Sequence, residues 1–86
     1  MNILDQIQVN FQNFFESEKK IAEFILTNPK KVIDMPIALL ARNSNVSEAS
    51  ISRFCKKLNL TGFHQLKIEL ARIQDNENIE VNKNTS

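Results

Sequence analysis

Residues 47–58 combine a regular apolar pattern with small, hydroxyl-bearing and basic side chains. The apolar positions recur at helical spacing: Ile51, Phe54, Cys55 and Leu58. A helix that buries them, at about 100° per residue, turns a short, hydrogen-bonding and basic face outward. That face consists of Ala49, Ser52, Arg53 and Lys56, with Ser50 and Lys57 at its flank. A face of this kind can approach DNA closely and form hydrogen bonds with the edges of its bases.

The polar side chains here and just beyond divide between two kinds of contact. An arginine such as Arg53 can donate to guanine O6 and N7 together, and the serines can meet a base or a phosphate. We therefore predict that the base-reading positions are Ala49, Ser50, Ser52 and Arg53. Lysines and the start of a helix favour phosphate instead, because both attract an anion. The predicted phosphate contacts are Ser47, Lys56, Lys57, Thr61, Gly62, His64 and Lys67.

Two helices joined by a tight turn are needed to present this face. Apolar residues recur at i, i+3 and i+4 on one face of the first helix: Ile37, Leu40 and Ala41. Ser47 is a favourable N-cap for the second helix, because its hydroxyl can accept a hydrogen bond from an otherwise unpaired backbone N–H. Asn45, between the helices, is one of the few non-glycine residue types that tolerate a left-handed backbone. This pattern predicts a helix-turn-helix over residues 37–54.

The pattern before this unit predicts further amphipathic helices. The first carries an apolar stripe at helical spacing: Ile3, Leu4, Ile7, Phe11, Phe14 and Phe15. We expect a second helix that is capped by Ser17 and ends near Asn28, since Pro29 disfavours helical geometry in the residue before it. Proline at a first helical position loses no hydrogen bond, so a short helix over residues 29–33 follows.

The last predicted helix begins near Gly62, with Thr61 as its N-cap, and ends near Ile73. Beyond it the sequence is polar and without periodicity, which is typical of a linker or a disordered end. We therefore predict a helical domain over residues 1–73 and a polar linker or disordered tail over residues 74–86. With 86 residues, 42% of them hydrophobic, and a single glycine, the composition favours an all-α fold, a compact bundle of about five helices.

The formal net charge of +1 is unevenly distributed along the chain. Residues 51–73 carry five basic side chains and one acidic one, a net charge of +4, whereas residues 1–50 carry −1 and residues 74–86 carry −2. The positive charge thus lies in and after the second helix of the helix-turn-helix, where a DNA-facing surface needs it. A basic amphipathic helix is also common as a plain solvated surface, and the helix-turn-helix spacing is what favours DNA here.

Other chemistries lack the residues that they need. The lone cysteine, Cys55, has apolar neighbours, which is typical of a small buried hydrophobe rather than a nucleophile. One cysteine and one histidine do not make a metal site, no glycine-rich loop could hold a nucleotide, and no acid, base and nucleophile converge by spacing. We therefore expect no cofactor, no metal and no enzymatic activity. Without a basic leader before an apolar block or an apolar run of roughly 18 residues, we expect a cytoplasmic protein with no membrane span.

The segment IALLARNSNVSEASISRFCKKLNLTGFHQLKIEL, residues 37–70, resembles the N-terminal domain of the RpiR-type bacterial transcription regulators. The family pattern pairs VSEAxxxRFCxKL with GFxxLK, and both parts are present here. The matching positions are Val46 to Ala49, Arg53 to Cys55, Lys57 and Leu58, Gly62 and Phe63, and Leu66 and Lys67. The resemblance covers residues 1–73 as a whole, and it departs from the family at Asn45, where glycine is usual. Family members continue into a sugar-phosphate-binding domain of the sugar isomerase type, which this chain lacks.

These observations predict a homeodomain-like helix-turn-helix domain that binds a double-stranded DNA operator as a homodimer and regulates transcription. The resemblance implies control of sugar-metabolism genes, through a sugar-phosphate effector that is bound by the missing C-terminal domain. The alternative is a helical module that binds another protein and never touches DNA. Salt distinguishes the two, because phosphate contacts weaken steeply as the salt concentration rises while an apolar groove does not.

Overall fold

The computed structural model describes the backbone of residues 1–85 and the side chains of residues 1–76. Six α-helices make up this part of the chain: α1 Ile3–Asn10, α2 Glu16–Thr27, α3 Pro29–Ile33, α4 Ile37–Ser44, α5 Glu48–Lys57 and α6 Phe63–Thr85. A 3₁₀ turn, Phe11–Asn13, separates α1 from α2. Since the described residues contain no strand, the predicted all-α fold is confirmed, with α4 and α5 as the helix-turn-helix.

The helices surround one apolar core, and α2 lies at its centre. α2 contacts α1, α3, α4 and α5, while α6 packs against α3, α1 and α5. The ring of Phe54, which is fully buried, lies 5.1 Å from the ring of Phe14, measured between centroids. The fully buried apolar side chains of the core are Ile7, Ile21, Ala22, Ile25, Val32, Leu40, Ile51, Phe54, Cys55 and Leu66. Both helices of the helix-turn-helix are thus anchored to the same core.

The N-terminal region departs from the single long helix that the sequence predicts. α1 stops before the end of the apolar stripe, and the chain passes through the 3₁₀ turn to Phe14, whose backbone is extended. This change of direction buries Phe14 but leaves the Phe15 side chain 73% exposed. The predicted cap at Ser17 is also wrong, because Phe15 holds the N-cap position of α2 and its N–H donates to Glu18 Oε1 at 2.8 Å.

α4 ends in a Schellman motif at Asn45. This residue has φ 57° and ψ 47°, so its predicted left-handed conformation is confirmed. The N–H of Val46 donates to the carbonyl of Ala41 at 3.0 Å, and the N–H of Asn45 donates to the carbonyl of Arg42 at 3.2 Å. These two bonds satisfy carbonyls that the end of a helix otherwise leaves unpaired. The turn therefore fixes the direction in which α5 starts.

α5 has a defined stop at each end. At its start, Ser47 Oγ accepts a hydrogen bond from the N–H of Ser50 at 3.1 Å, which confirms the predicted N-cap. At its end, Asn59 has φ 65° and the N–H of Leu60 donates to the carbonyl of Cys55 at 3.0 Å, a second Schellman arrangement. The sequence predicts a break after α5 but not a left-handed asparagine, since the nearby glycine is the more obvious breaker.

An ion pair fastens the C-terminal end of α5 to the N-terminal end of α2. Lys57 Nζ lies 2.9 Å from Glu18 Oε1, and Glu18 is only 7% exposed. The same ammonium lies 4.4 Å from the centroid of the Phe15 ring and 3.4 Å from the carbonyl oxygen of Asn13. Burying a carboxylate this deeply costs free energy unless it has a charged partner, and the ammonium of Lys57 is that partner.

α6 is longer than the sequence predicts. Its end is predicted near Ile73, whereas the helix runs on to Thr85. Leu66 and Leu70 are buried and hold its first half against the core. Apolar periodicity fades after them, but no glycine or proline follows Phe63 to end the helix. The division into a domain over residues 1–73 and a linker over residues 74–86 stays a prediction.

Substitution of Asn45 tests the left-handed turn. Asn45→Gly should leave the free energy of unfolding within about 1 kcal/mol of the wild type, since glycine accepts positive φ but gains freedom in the unfolded chain. Asn45→Val should lower it by about 1–2 kcal/mol, because a side chain with a branched Cβ clashes in this conformation. The same two changes at Asn43, an exposed residue inside α4, serve as controls, and there glycine should be at least as damaging as valine. Equal melting temperatures for the two Asn45 variants would contradict the prediction.

Removing the ammonium of Lys57 should destabilise the domain. Lys57→Met keeps the aliphatic stem but leaves Glu18 without its charged partner, so we expect a loss of about 1–2 kcal/mol, reduced by the partial exposure of the lysine. Lys56→Met is the matched control and should change stability by less than about 0.5 kcal/mol. Adding Glu18→Gln to Lys57→Met should recover part of the loss, because the amide oxygen still accepts from the N–H of Phe15. Urea unfolding measures all of these, and equal effects of Lys56→Met and Lys57→Met would exclude a stabilising pair.

Candidate nucleic-acid interface

α5 presents the outward face that the sequence predicts. Ala49, Arg53 and Lys56 are exposed, and Ser52 is half-buried. The opposite face is buried, with no side chain more than 5% exposed: Ile51, Phe54, Cys55 and Leu58. The helix is therefore held along one side and offers an arginine and a lysine, one turn apart, on the other.

Ser50 does not lie on this outward face. Its side chain is only 8% exposed, and its Oγ lies 2.9 Å from Ser47 Oγ and accepts a hydrogen bond from Arg53 Nη2 at 3.2 Å. The sequence places it at the flank as a base contact, but it follows the N-cap by three residues, so its side chain turns back toward Ser47. The structure thus places Ser50 beneath Arg53 rather than beside it.

The two adjacent lysines of α5 have different surroundings. Lys57 is predicted to contact phosphate, but its ammonium is held by the carboxylate of Glu18 and lies over the ring of Phe15. Both lysines are exposed, but Lys56 has no salt bridge among the residues whose side chains are described. The geometry therefore favours Lys56 over Lys57 as the lysine of this helix that faces a phosphate.

Gly62, and not Thr61, precedes the first residue of α6. The helix begins at Phe63, and the N–H of Leu66 donates to the carbonyl of Gly62 at 3.2 Å. Thr61 does not act as the predicted N-cap, because its hydroxyl and its N–H both donate to Gln65 Oε1, at 3.0 and 2.7 Å. The side chain of Gln65 thus holds the loop that leads into α6.

The start of α6 keeps features that phosphate binding needs. The N–H groups of a first helical turn have no partner within the helix and attract an anion. A β-carbon at Gly62 would meet no atom of the described residues within 4 Å, so the backbone there is open to approach. His64 is exposed, and Lys67 Nζ lies 5.3 Å from the centroid of the Phe63 ring. The predicted phosphate positions at Thr61, Gly62, His64 and Lys67 therefore share one helix start.

Cys55 has the structural role that the sequence predicts. Burial raises the pKa of its thiol to about 11 from an ordinary 9.0, so the thiol stays protonated and unreactive at neutral pH. Within residues 1–76, no three potential metal ligands come together. None of the helices described here is long and apolar enough to cross a membrane.

Two polar contacts of this region are not predicted from the sequence: Glu18 with Lys57, and Arg53 with Ser50. The capping role of Glu18 could have been predicted, because an acidic residue three positions after an N-cap is a recognised signal for the start of a helix. Its pairing with Lys57, 39 residues further on, has no local signal. The bond from Arg53 to Ser50 follows from helical spacing, but only once the burial of Ser50 is known.

The sequence profile described as the helix-turn-helix domain of the RpiR family matches residues 1–77. Among curated proteins, the chain is 38% identical over 86 residues to the HTH-type transcriptional regulator HexR of Escherichia coli, which covers 100% of this chain and 30% of that protein. It is 41% identical over 71 residues to HexR of Pseudomonas aeruginosa, covering 83% of this chain and 25% of that protein. The chain therefore spans less than a third of the length of these relatives.

Solved structures that are similar to this chain share its fold. The N-terminal domain of the Bacillus subtilis transcriptional regulator ybbH superimposes with a TM-score of 0.77 at 37% identity, over 79% of this chain and 83% of that one. The NanR protein of Vibrio vulnificus, solved in complex with ManNAc-6P, superimposes with a TM-score of 0.84 at 29% identity, over 93% of this chain and 31% of that one.

The match is to a regulator domain and not to an enzyme domain, in agreement with the sequence analysis. The fold, the helix-turn-helix formed by α4 and α5 and the profile match over residues 1–77 lead to the same conclusion. The chain belongs to the RpiR family of helix-turn-helix domains.

Proposed function

We propose that this domain binds operator DNA sequence-specifically, with α5 in the major groove, and that the protein it belongs to regulates transcription. The observation that carries the proposal is the outward face of α5, where Arg53 and Lys56 are exposed on a helix whose other side is buried. Ala49 is small and lies near the start of the helix, which permits close approach to the groove floor. Membership of a family of transcription regulators supports the same reading.

The contacts divide by chemistry into base reading and phosphate binding. We assign base reading to Arg53, with Ser52 and Ala49 beside it, because a guanidinium can bond both acceptors of guanine in the major groove. Lys56 and the start of α6 are assigned to phosphate, since a lysine or a helix N-terminus binds an anion without distinguishing bases. The residues proposed to contact phosphate also include Ser47, which is exposed although its hydroxyl caps α5.

We further propose that the protein acts as a homodimer. One recognition helix contacts too few base pairs for useful specificity, and helix-turn-helix proteins commonly bind two half-sites about one helical turn apart. The partners are then a double-stranded operator and a second copy. Val9 and Phe15 are exposed, at 65% and 73%, and Ile68 is 40% exposed on α6, so apolar surface is present for such a contact.

We propose that the response to a small molecule depends on a part of the protein outside this chain. The chain spans 30% and 25% of the two HexR relatives, and NanR, a structural neighbour, was solved with ManNAc-6P. We propose that a sugar phosphate bound by a further domain controls DNA binding, that the regulated genes serve sugar metabolism and that the protein acts in the cytoplasm.

The second candidate function is a module that binds a protein through apolar surface. The exposure of Phe15 and Val9 is the observation that favours it. Such a contact would be insensitive to salt, whereas neutralised phosphates make affinity fall steeply as salt rises. A titration against salt therefore separates the two functions directly.

The roles of Arg53 and Lys56 give the main test of DNA binding. The duplexes are those that the wild-type chain selects from a random pool, with scrambled versions as comparison. Arg53→Ala should cost about 1–3 kcal/mol on the selected duplex and relax the preference at one base pair. Lys56→Ala should weaken binding to both duplexes alike and lower the salt slope by about one counterion. Arg72→Ala, an exposed arginine on α6 that pairs with Glu69, is the matched control and should change neither.

Circular dichroism confirms first that each variant is folded. If Arg53→Ala loses the same amount of affinity for the selected and the scrambled duplex, Arg53 does not read a base. If the wild type enriches no sequence, or if both variants bind as well as the wild type does, α5 does not enter the groove. Either result would favour the protein-binding alternative.

The homodimer is tested by sedimentation of the chain alone and with a selected duplex. We expect two copies on each full operator and half-sites about 34–36 Å apart, because each copy places one helix in the major groove. A monomer both in the free state at high concentration and on a full-length selected duplex would contradict the proposal.

A further inference from the structure

We propose that Ser50 is a positioning residue, which orients the guanidinium of Arg53 toward the groove without touching DNA itself. The proposal rests on the DNA-binding function proposed above. Ser50 is 8% exposed and its hydroxyl is engaged with Ser47 and Arg53, so it offers little surface to a base edge. Its hydroxyl nevertheless reaches the one arginine on the outward face of α5, at 3.2 Å from Nη2. Of the serines in the helix-turn-helix, this is the one that connects the buried side of the helix to its exposed side.

The contact is one step of a chain of hydrogen bonds. Arginine only donates, so Ser50 Oγ must accept from Arg53. The proton of Ser50 is then available to Ser47 Oγ, which lies 2.9 Å away and also accepts from the N–H of Ser50. With Ser50 as the donor of this hydroxyl pair, its oxygen becomes a better acceptor for Arg53, because a hydroxyl that donates accepts more strongly. The N-cap of α5 and its proposed base reader are thus connected through one buried oxygen.

Helical spacing explains why a buried residue can support an exposed one. Ser47, Ser50 and Arg53 follow each other at intervals of three residues, and such neighbours face each other along a helix surface. Three residues fall short of a full turn, so the row winds gradually around the helix. It begins at the cap, passes under the edge of the outward face and ends on that face at Arg53.

The bond to Ser50 orders the side chain of Arg53 but leaves most of its N–H donors free. A guanidinium has five N–H groups, and only Nη2 is engaged with Ser50. The others remain able to donate to guanine O6 and N7 together. Arginine side chains lose considerable rotamer freedom when they bind, and a contact that already orders the side chain reduces this loss. The expected consequence is tighter binding at the base pair that Arg53 reads, with little change on other DNA.

A double-mutant cycle tests the proposal with the full chain. Ser50→Ala should lower affinity for the selected duplex about 3- to 10-fold and affinity for the scrambled duplex by much less. In the Arg53→Ala background, Ser50→Ala should have no further effect, because the residue acts only through the arginine. Ser50→Cys, which keeps the shape but accepts hydrogen bonds weakly, should resemble Ser50→Ala and provides a second variant if alanine disturbs folding.

Ser44 offers a matched control for removing a buried hydroxyl. It is 5% exposed on α4, and its Oγ has no hydrogen-bond partner within the part of the chain that the structure describes. Ser44→Ala should therefore leave affinity for both duplexes unchanged, and thermal unfolding checks that the fold is retained.

Each outcome decides the proposal. Equal losses from Ser50→Ala with and without Arg53 would show a purely structural role and overturn it. No loss from either Ser50→Ala or Ser50→Cys, in a chain where Arg53→Ala does lose affinity, would overturn it while leaving the proposed function intact. If Arg53→Ala itself costs nothing on the selected duplex, the base-reading assignment fails, and the positioning role fails with it.

Discussion

α5 depends on being held along one side, and the rest of the domain supplies that contact. α5 has ten residues, and an isolated helix shorter than about 12–15 residues is marginal in water. Its stability therefore comes from packing: the ring of Phe54 lies against that of Phe14, and Lys57 pairs with the buried Glu18. Phe14 lies between α1 and α2 and Glu18 lies in the first turn of α2, so this N-terminal part supports the helix-turn-helix directly. An α5 without it would have an outward face but no fixed orientation.

The ends of the two helices matter as much as their packing. Asn45 and Asn59 both adopt positive φ, and each completes a Schellman motif at the end of one helix of the pair. Asparagine tolerates this conformation better than other residues with a side chain, although glycine does so with less strain. The crossing of α4 and α5 is therefore set by local backbone geometry at Asn45, the exit from α5 is set at Asn59, and the shared core holds the helices together.

The parts of the structure that depend on local pattern can be predicted from the sequence. The turn at Asn45, the cap at Ser47 and the inward face of α5 follow from spacing and backbone preference, and the structure confirms them. Contacts between residues that are distant in sequence have no local signal. The carboxylate of Glu18 engages Lys57 from another helix, and the depth of Ser50 follows from how α5 sits on the core. The end of α6 was misplaced for a different reason, because loss of periodicity does not end a helix that contains no breaker.

The ion pair between Lys57 and Glu18 changes the distribution of charge on the domain. Lys57 contributes to the net charge of +4 over residues 51–73, but Glu18 lies 2.9 Å from its ammonium and offsets it locally. The net positive charge on this side of the domain is therefore smaller than the sequence alone indicates. On the proposed DNA-binding function, phosphate contacts do not distinguish bases, so selectivity rests on the base-reading side chains, and the proposed ordering of Arg53 by the buried Ser50 acts on that step.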